Sequence, residues 1–386
     1  MDAPPDDGSL DPHFQGARPL QTEVKHRILE GYLWIWIRHL HRHHELAFID
    51  ACAGPGRFEH DGSPGSPVIA ARFNDEQEIQ DKEVRLSVHA CESKPAHFAA
   101  LRKALQAWID RFPPCAFTYP VKFGEVLEAI LAQTRGRPTL LFVDTYGMTG
   151  IEPAQLAPVL SDADRRYTEI LVRVAPEMFG RWAGWIDRAD EDSQWGRHAR
   201  TMLKKLEGLG INIDALKNDQ GAKDSAGLFY EYLKLFYRRF RYVQPLPVRP
   251  SHSYEPKYYL VHGTDSHHGA AYINDVCASA EDWLYERFEQ EKAGDQMNLF
   301  ALPTKRRVYA QDLEPTIQEI LAEGQRSWIE VRAMLAVAHG SKFNARSHRA
   351  AAKRLRDQGL ISWNPLGAIE DSSVCRLSIS RGAGAS

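Results

Sequence analysis

The stretch LAFIDACAGPG, residues 46 to 56, decides the fold of this chain. A short apolar run ends in Asp50 and passes directly into a Gly-Pro-Gly turn, which is typical of a buried parallel strand followed by a ligand-binding loop. Gly54 and Gly56 let the backbone approach a ligand closely because they have no side chain. The third glycine of the dinucleotide fingerprint and the Gly-Lys-Ser/Thr of a P-loop are both missing. We therefore predict an S-adenosylmethionine loop, with a tight turn that binds nothing as the alternative.

A second predicted strand, Arg85 to Glu92, also ends in an acid and is followed by a predicted helix. In a doubly wound sheet an acid at this position can accept hydrogen bonds from both hydroxyls of a ribose. A surface salt bridge is the alternative for Glu92. Residues 121 to 130 predict a third strand and the start of a helix. Glu125 would face the adenine amino group there, or would simply favour the positive end of the helix dipole.

A further apolar run, Pro138 to Asp144, breaks abruptly into Thr-Tyr-Gly. An acid followed by an aromatic residue at the carboxyl end of a strand suits a flat heteroaromatic substrate. Asp144 would accept from an exocyclic amine while Tyr146 stacks on the ring. The alternative is that Asp144 caps the next helix and Tyr146 belongs to the core.

Four segments stand in the order found in one protein family: FIDACAGPGRF (48–58), GSPGSP (62–67), FVDTYGMTGI (142–151) and YYLVHGTDSHHGAAYINDV (258–276). Over roughly residues 20 to 280 the chain thus resembles the three-Cys-motif partner protein family (TcmP), whose members resemble class I S-adenosylmethionine-dependent methyltransferases. The resemblance implies a cofactor loop made of Asp50, Ala51, Gly54, Pro55 and Gly56. It implies a ribose acid at Glu92 and a radical-enzyme-like, three-Cys-motif protein as partner.

The resemblance also implies that Asp144 and Tyr146 occupy the Asp-Pro-Phe/Tyr-Gly signature of amino-methyltransferases. Thr145 departs from that signature, in which proline would fix the backbone so that a carbonyl takes the second amine hydrogen. Methylation of an amine, methylation of an oxygen and binding without catalysis therefore all remain open.

The pattern of helices and strands predicts an α/β chain with a doubly wound, Rossmann-like methyltransferase sheet, a helical insertion and a C-terminal winged-helix domain. A helix at about 22–44 would precede the first strand, a fifth strand would lie within 168–184, and a late strand would span 258–264. The predicted organisation is a disordered N-terminus (1–20), the sheet domain (21–292) with its insertion (about 182–254), a linker (293–310) and the winged-helix domain (311–386).

The winged-helix prediction rests on three helical patterns, at about 312–323, 327–339 and 344–357, followed by two short strand-like runs near 360–363 and 374–380. The third helix region has six cations and no acid between residues 341 and 356. Such a group of charges predicts contacts with nucleic-acid phosphates, DNA or RNA. We expect Arg346, Arg349, Lys353 and Arg354 to make them. A solvated face or a protein-docking module is the alternative.

Whole-chain figures narrow the classes of function. The formal net charge of −3 excludes a uniformly basic binder, so nucleic-acid contacts must come from local patches. Five dispersed cysteines without a Cys-x-x-Cys pair suggest free thiols in a reducing cytoplasm. Histidines 39, 41, 43 and 44 lack a carboxylate or cysteine to complete a site, so we predict no metal. No apolar run is long enough for a bilayer, so we expect no membrane partner.

The combined prediction is a methyltransferase that acts on nucleic acid or on a nucleobase-containing substrate. The alternative is a non-catalytic adaptor that keeps the nucleotide fold as a scaffold and binds DNA or a protein through its C-terminal domain.

Overall fold

The computed structural model describes residues 10–16, 18–145, 153–160, 167–208, 225–249, 255–295 and 312–378. Within these ranges seven strands form one sheet in the order β3-β2-β1-β4-β5-β7-β6. The strands are β1 (Glu45–Asp50), β2 (Arg85–Cys91), β3 (Ala116–Tyr119), β4 (Thr139–Val143), β5 (Thr168–Val174), β6 (Tyr242–Val248) and β7 (Tyr258–Thr264). The first five run parallel, and β7 is antiparallel to both β5 and β6. The predicted α/β class and the mostly parallel, Rossmann-like sheet are confirmed.

Helices cover both faces of this sheet. They are α1 (Pro12–Gln15), α2 (Leu20–His39), α3 (Ser66–Arg72), α4 (Gln77–Gln80), α5 (Pro95–Ile109), α6 (Phe123–Gln133), α7 (Pro153–Leu160), α8 (Pro176–Arg188), α9 (Gln194–Gly208), α10 (Ser225–Tyr237) and α11 (His267–Asp295). Alternate residues of each strand face opposite ways, so Phe48 packs in the core beneath α2, while Ile49 packs in the core beneath α6. Across the described residues, every helix is too short or too polar to cross a membrane.

Several elements differ from their prediction. The third strand ends at Tyr119, before the segment 121–130 in which it was expected. The strand β6 falls inside the predicted helical insertion (about 182–254), and it contains Pro245 and Pro247. Because β6 is the outermost strand, its prolines need no hydrogen-bonding partner on that side. The N-terminal region predicted to be disordered contains α1.

The last 67 described residues, 312–378, form a C-terminal module with its own core. Its elements are α12 (Leu313–Ala322), β8 (Arg326–Ser327), α13 (Trp328–His339), α14 (Ala345–Asp357), β9 (Ile361–Asn364) and β10 (Val374–Leu377). The three helices and the last two strands lie where they were predicted. The two-residue strand β8 was not predicted and completes an antiparallel sheet in the order β8-β10-β9.

A buried arginine joins this module to the sheet domain. The side chain of Arg332, on α13, is 2% exposed and forms ion pairs with Asp275 on α11 and with Asp371 in the β9–β10 loop. Asp275 also accepts from the backbone N–H of Ala345 at 2.7 Å, at the start of α14. The beginning of α14 therefore packs against α11. Most of the predicted linker, from residue 296, lies outside the described residues.

Candidate functional site

A pocket of about 580 Å³ opens at the carboxyl edge of the sheet, where the parallel strands end. Its position follows from topology, because β1 and β4 are neighbours and the strand order reverses between them. Four residues predicted from different segments of the sequence line it together: Gly54, Gly56, Glu92 and Asp144. The fold thus brings the ends of three predicted strands to one cavity.

The loop after β1 needs its glycines for conformational reasons. Gly54 and Gly56 adopt φ angles of +60° and +79°, which residues with a Cβ rarely do. A Cβ on Gly54 would lie 2.8 Å from the ring of Phe14. The carbonyl of Gly56 accepts from the N–H of Gly65 at 2.7 Å, which closes the loop onto the start of α3. The loop therefore presents backbone to the pocket.

Asp50 supports this loop from below. It is fully buried, and its carboxylate accepts from the N–H of Cys52 at 3.2 Å. Burial raises the pKa of Asp50 to about 7, although the hydrogen bonds from Ser66 and Cys52 oppose that rise. Asp50, Ala51 and Pro55 are not among the described residues that line the pocket. Direct contact of these three with a cofactor stays a prediction.

Glu92 faces the pocket with hydrogen-bonding capacity to spare. Its Oε1 accepts from the N–H of Lys94 at 2.7 Å, and its Oε2 lies 3.8 Å from Nδ1 of His97. A carboxylate has about four acceptor positions, so most of those on Glu92 remain for a ligand. Glu125, by contrast, is exposed in the first turn of α6 and lies outside the pocket lining formed by the described residues.

Asp144 lies next to two cations, Lys25 and Arg173. Its Oδ2 forms a short ion pair with Nζ of Lys25, whose side chain is 9% exposed. Nε of Arg173 lies 3.7 Å from Oδ1 of Asp144, and the same guanidinium donates to the carbonyl of Thr145. Lys25 sits on the buried face of α2 beside Val24 and Ile28. A lysine on an apolar helix face was the signal that could have found it. Tyr146 lies outside the described residues.

Residues of the N-terminal segment, Asp11 and Phe14, line the pocket. Asp11 donates its backbone N–H to Nε2 of His97 at 3.1 Å and pairs with Lys94 at 2.6 Å. The ring of Phe14 contacts Phe58, with ring centroids 5.5 Å apart. This segment therefore forms one wall of the cavity, next to the glycine loop.

A second pocket, of about 300 Å³, lies at the opposite, amino edge of the sheet. Glu169 and Tyr32 line it, and the Tyr32 hydroxyl donates to the Glu169 carboxylate in a short hydrogen bond. His39 and His268 also line it, with ring centroids 4.2 Å apart. Burial lowers the pKa of both imidazoles, that of His268 to about 4. Of the four clustered histidines in the sequence, His39 alone reaches this pocket.

The predicted nucleic-acid residues lie on α14. Arg346, Arg349 and Lys353 are exposed, and their spacing of three and four residues puts them on one helix face. Arg354 differs, because its Nε forms a short ion pair with Glu314. The exposed basic stripe on α14 thus consists of Arg346, Arg349 and Lys353.

Comparisons with known proteins found no match that would assign a function to this chain. No family model matches the chain. No curated protein matches it either. The functional argument therefore depends on the geometry and charge of the two pockets and of α14.

Proposed function

We propose that the chain is an S-adenosylmethionine-dependent methyltransferase that acts on nucleic acid or on another nucleobase-containing substrate. The observation behind the proposal is the convergence of Gly54, Gly56, Glu92 and Asp144 around one pocket at the switch point of a Rossmann-like sheet. The resemblance to the TcmP family supports the same assignment.

The residues of the pocket fit this cofactor. The positive φ angles of the glycine loop leave room for close approach of a ligand to backbone. The spare acceptor positions of Glu92 suit a pair of ribose hydroxyls. The volume of about 580 Å³ falls in the range of about 300 to 1,000 Å³ that small-molecule sites occupy.

When bound, S-adenosylmethionine would supply an electrophilic methyl group on its sulfonium. The chain has to position the acceptor against that methyl, which lowers the barrier chiefly by orientation. Gly54 and Gly56 would hold the cofactor at the end of β1, and Glu92 would hold its ribose at the end of β2. Asp144, together with Tyr146, would orient the acceptor at the end of β4, and Asp144 need not be a strong base to do so.

The basic stripe on α14 favours a second candidate, a non-catalytic adaptor. In that proposal the C-terminal module is a winged-helix domain whose third helix contacts phosphates, and the sheet domain is a scaffold. A protein partner could dock on the same module. The family resemblance suggests a radical-enzyme-like, three-Cys-motif protein as that partner.

Calorimetric titration of S-adenosylmethionine and S-adenosylhomocysteine tests the main proposal. We expect saturable binding to the wild type and a loss of about tenfold or more in Glu92→Ala, because each carboxylate hydrogen bond is charge-assisted. Glu128→Ala, an exposed acid on α6, is the matched control and should bind like the wild type. Glu125→Ala tests the predicted adenine contact. A folded wild type that binds neither compound would overturn the proposal.

A salt titration of nucleic-acid binding tests the role of α14. Changing Arg346, Arg349 and Lys353 together to glutamine should flatten the dependence of log affinity on log salt by about two to three units. The Arg354→Gln variant should change the slope less, because Arg354 already pairs with Glu314. An unchanged slope in the triple variant would remove α14 from nucleic-acid binding.

A further inference from the structure

The two groups expected to accept an amine are already occupied by cations. The Asp144 carboxylate is paired with Lys25 and lies 3.7 Å from Nε of Arg173. The carbonyl of Thr145, which would take the second amine hydrogen, accepts from Nη1 of Arg173 instead. An amine that entered this end of the pocket would have to displace positive charges that are already bound there.

The charges at this point do not cancel. Among the described residues, Lys25 and Arg173 have Asp144 as their common ion-pair partner, so two cations share one carboxylate. The side chains of Arg173 and Asp144 are only 20% and 18% exposed, which limits screening by water. Asp50 lies nearby, but burial raises its pKa to about 7, so it is only partly ionised near neutral pH. This end of the pocket therefore has excess positive charge.

Arg173 also has donors to spare. A guanidinium has five N–H groups in a planar fork. Its Nη1 donates to Thr145, its plane lies over the ring of Tyr258 at 4.6 Å, and its Nη2 has no hydrogen-bond partner among the described residues. An arginine held in this way by a carbonyl and a ring suits a planar or tetrahedral oxyanion.

The excess charge lies on the acceptor side of the pocket. Arg173 is on β5 and Tyr258 on β7, both beyond β4 in the strand order, whereas Gly54 and Glu92 follow β1 and β2. Lys257, next to Tyr258, also lines the cavity. Arg173 and Lys257 therefore lie in the half of the pocket away from Gly54 and Glu92.

We infer that the methyl acceptor carries an anionic group, a carboxylate or a phosphate, which binds between Lys25 and Arg173. The inference rests on the proposed function, because it assumes that this half of the pocket receives the acceptor. Asp144 then acts as the counter-ion that holds both cations in place. Lys25 and Arg173 are specificity-determining residues, since a neutral acceptor of the same shape leaves their charge uncompensated.

Inorganic phosphate and acetate are the probes that test this inference, each titrated with and without saturating S-adenosylhomocysteine at constant ionic strength. Binding is followed by calorimetry in the wild type, Arg173→Gln, Arg173→Lys and Arg181→Gln. Arg181 is an exposed arginine on α8 and outside the pocket lining, so its variant is the matched control. A preference for phosphate over acetate, or the reverse, identifies the kind of anion.

We expect saturable anion binding in the wild type and in Arg181→Gln, a loss of about tenfold in Arg173→Gln and partial recovery in Arg173→Lys. The inference would be overturned if Arg173→Gln bound phosphate and acetate as tightly as the wild type does. The inference would also be overturned if Arg173→Gln bound S-adenosylhomocysteine more weakly while its anion affinity stayed unchanged. Arg173 would then contact the cofactor instead of the acceptor. Anion binding that depends on Arg173 in a protein that does not bind S-adenosylhomocysteine would overturn the methyltransferase proposal and leave the anion site standing.

Discussion

The two pockets at opposite edges of the sheet each contain a partly or fully buried carboxylate, but they compensate it differently. At the carboxyl edge Asp144 is paired with Lys25 and lies close to Arg173. At the amino edge Glu169 accepts from the Tyr32 hydroxyl and lies 3.2 Å from Nε2 of His262. Among the described residues, Glu169 has no lysine or arginine partner.

With an anion site at the carboxyl edge, as we infer, this difference separates a ligand site from a structural one. Two cations around one carboxylate leave charge and donors for an incoming anion. The amino-edge network instead ties α2 to β5 and β7 through the Tyr32 hydroxyl and the His262 imidazole. Burial together with Glu169 raises the pKa of Tyr32 far above its usual range. Hydrogen bonds between buried groups stabilise a fold without requiring a partner from solution. Under the proposed function, residues of similar type therefore serve recognition at one edge and stability at the other.

The largest effect should follow from removing the shared carboxylate at the carboxyl edge. Asp144→Asn leaves Lys25 and Arg173 facing each other in a poorly hydrated site, and we expect a loss of about 3 kcal/mol in unfolding free energy. Urea unfolding with and without inorganic phosphate measures this loss of stability. Phosphate should restore part of it by binding the unpaired side chains of Lys25 and Arg173. Asp187→Asn, an exposed aspartate on α8, is the control. A small loss that phosphate does not change would contradict the charge excess.

A smaller loss is expected at the amino edge. Glu169→Gln keeps the shape but weakens both hydrogen bonds, and we expect it to cost about 1 to 3 kcal/mol. Tyr32→Phe should cost a similar amount, and the double variant should cost less than the sum, because both remove the same bond. Added phosphate should rescue neither variant. A rescue would show that the amino edge also binds anions, and the distinction between the edges would fail.

Local signals account for what the sequence predicted of the fold. Continuous apolar runs identified β1 and β4, and the Gly-Pro-Gly turn identified the loop after β1. The strand β6 was missed because its residues were assigned to the helical insertion. Its Pro245 and Pro247 are acceptable in a strand only because β6 lies at the edge of the sheet. That place is set by pairing with β7, which no local pattern encodes.

The site divides in the same way. Glu92 and Asp144 could be predicted because each follows a strand, and the ends of parallel strands meet at one edge. The pairing of Lys25 with Asp144 joins residues 119 positions apart and depends on how α2 packs on the sheet. The contact of Arg173 with Asp144 likewise depends on long-range pairing, because it requires β5 to lie beside β4 in the sheet. Glu125 was predicted from its local position at the start of a helix. The structure leaves it exposed and outside the pocket lining of the described residues.

The pH dependence of stability should have opposite signs at the two edges. Asp50 has a folded pKa raised to about 7, so its contribution is fully present below its unfolded pKa and is lost as the pH rises towards 7. His268 has a folded pKa lowered to about 4, so its contribution is present above its unfolded pKa and is lost as the pH falls towards 4.

Urea unfolding between pH 4.5 and 8 checks both signs. Relative to wild type, Asp50→Asn should gain stability as the pH rises, with a slope of at most about 1.4 kcal/mol per pH unit. His268→Gln should gain as the pH falls, with a shallower slope because His268 is only half-buried. Curves that run parallel to wild type in both variants would show that neither group is coupled to folding.

The smallest effect concerns the surface pair of Lys257 and Glu177, whose atoms lie 3.5 Å apart and whose side chains are each 52% exposed. Breaking it from either side should change unfolding free energy by no more than about 0.5 kcal/mol.

The two variants should nevertheless differ in phosphate binding, because Lys257 lines the carboxyl-edge pocket. Lys257→Gln removes a cation and should weaken binding about twofold, whereas Glu177→Gln releases that cation from its partner and should strengthen binding. Equal phosphate affinities in the two variants would confine the anion site to Lys25 and Arg173. If Lys257 assists binding, the two substitutions must change phosphate affinity in opposite directions.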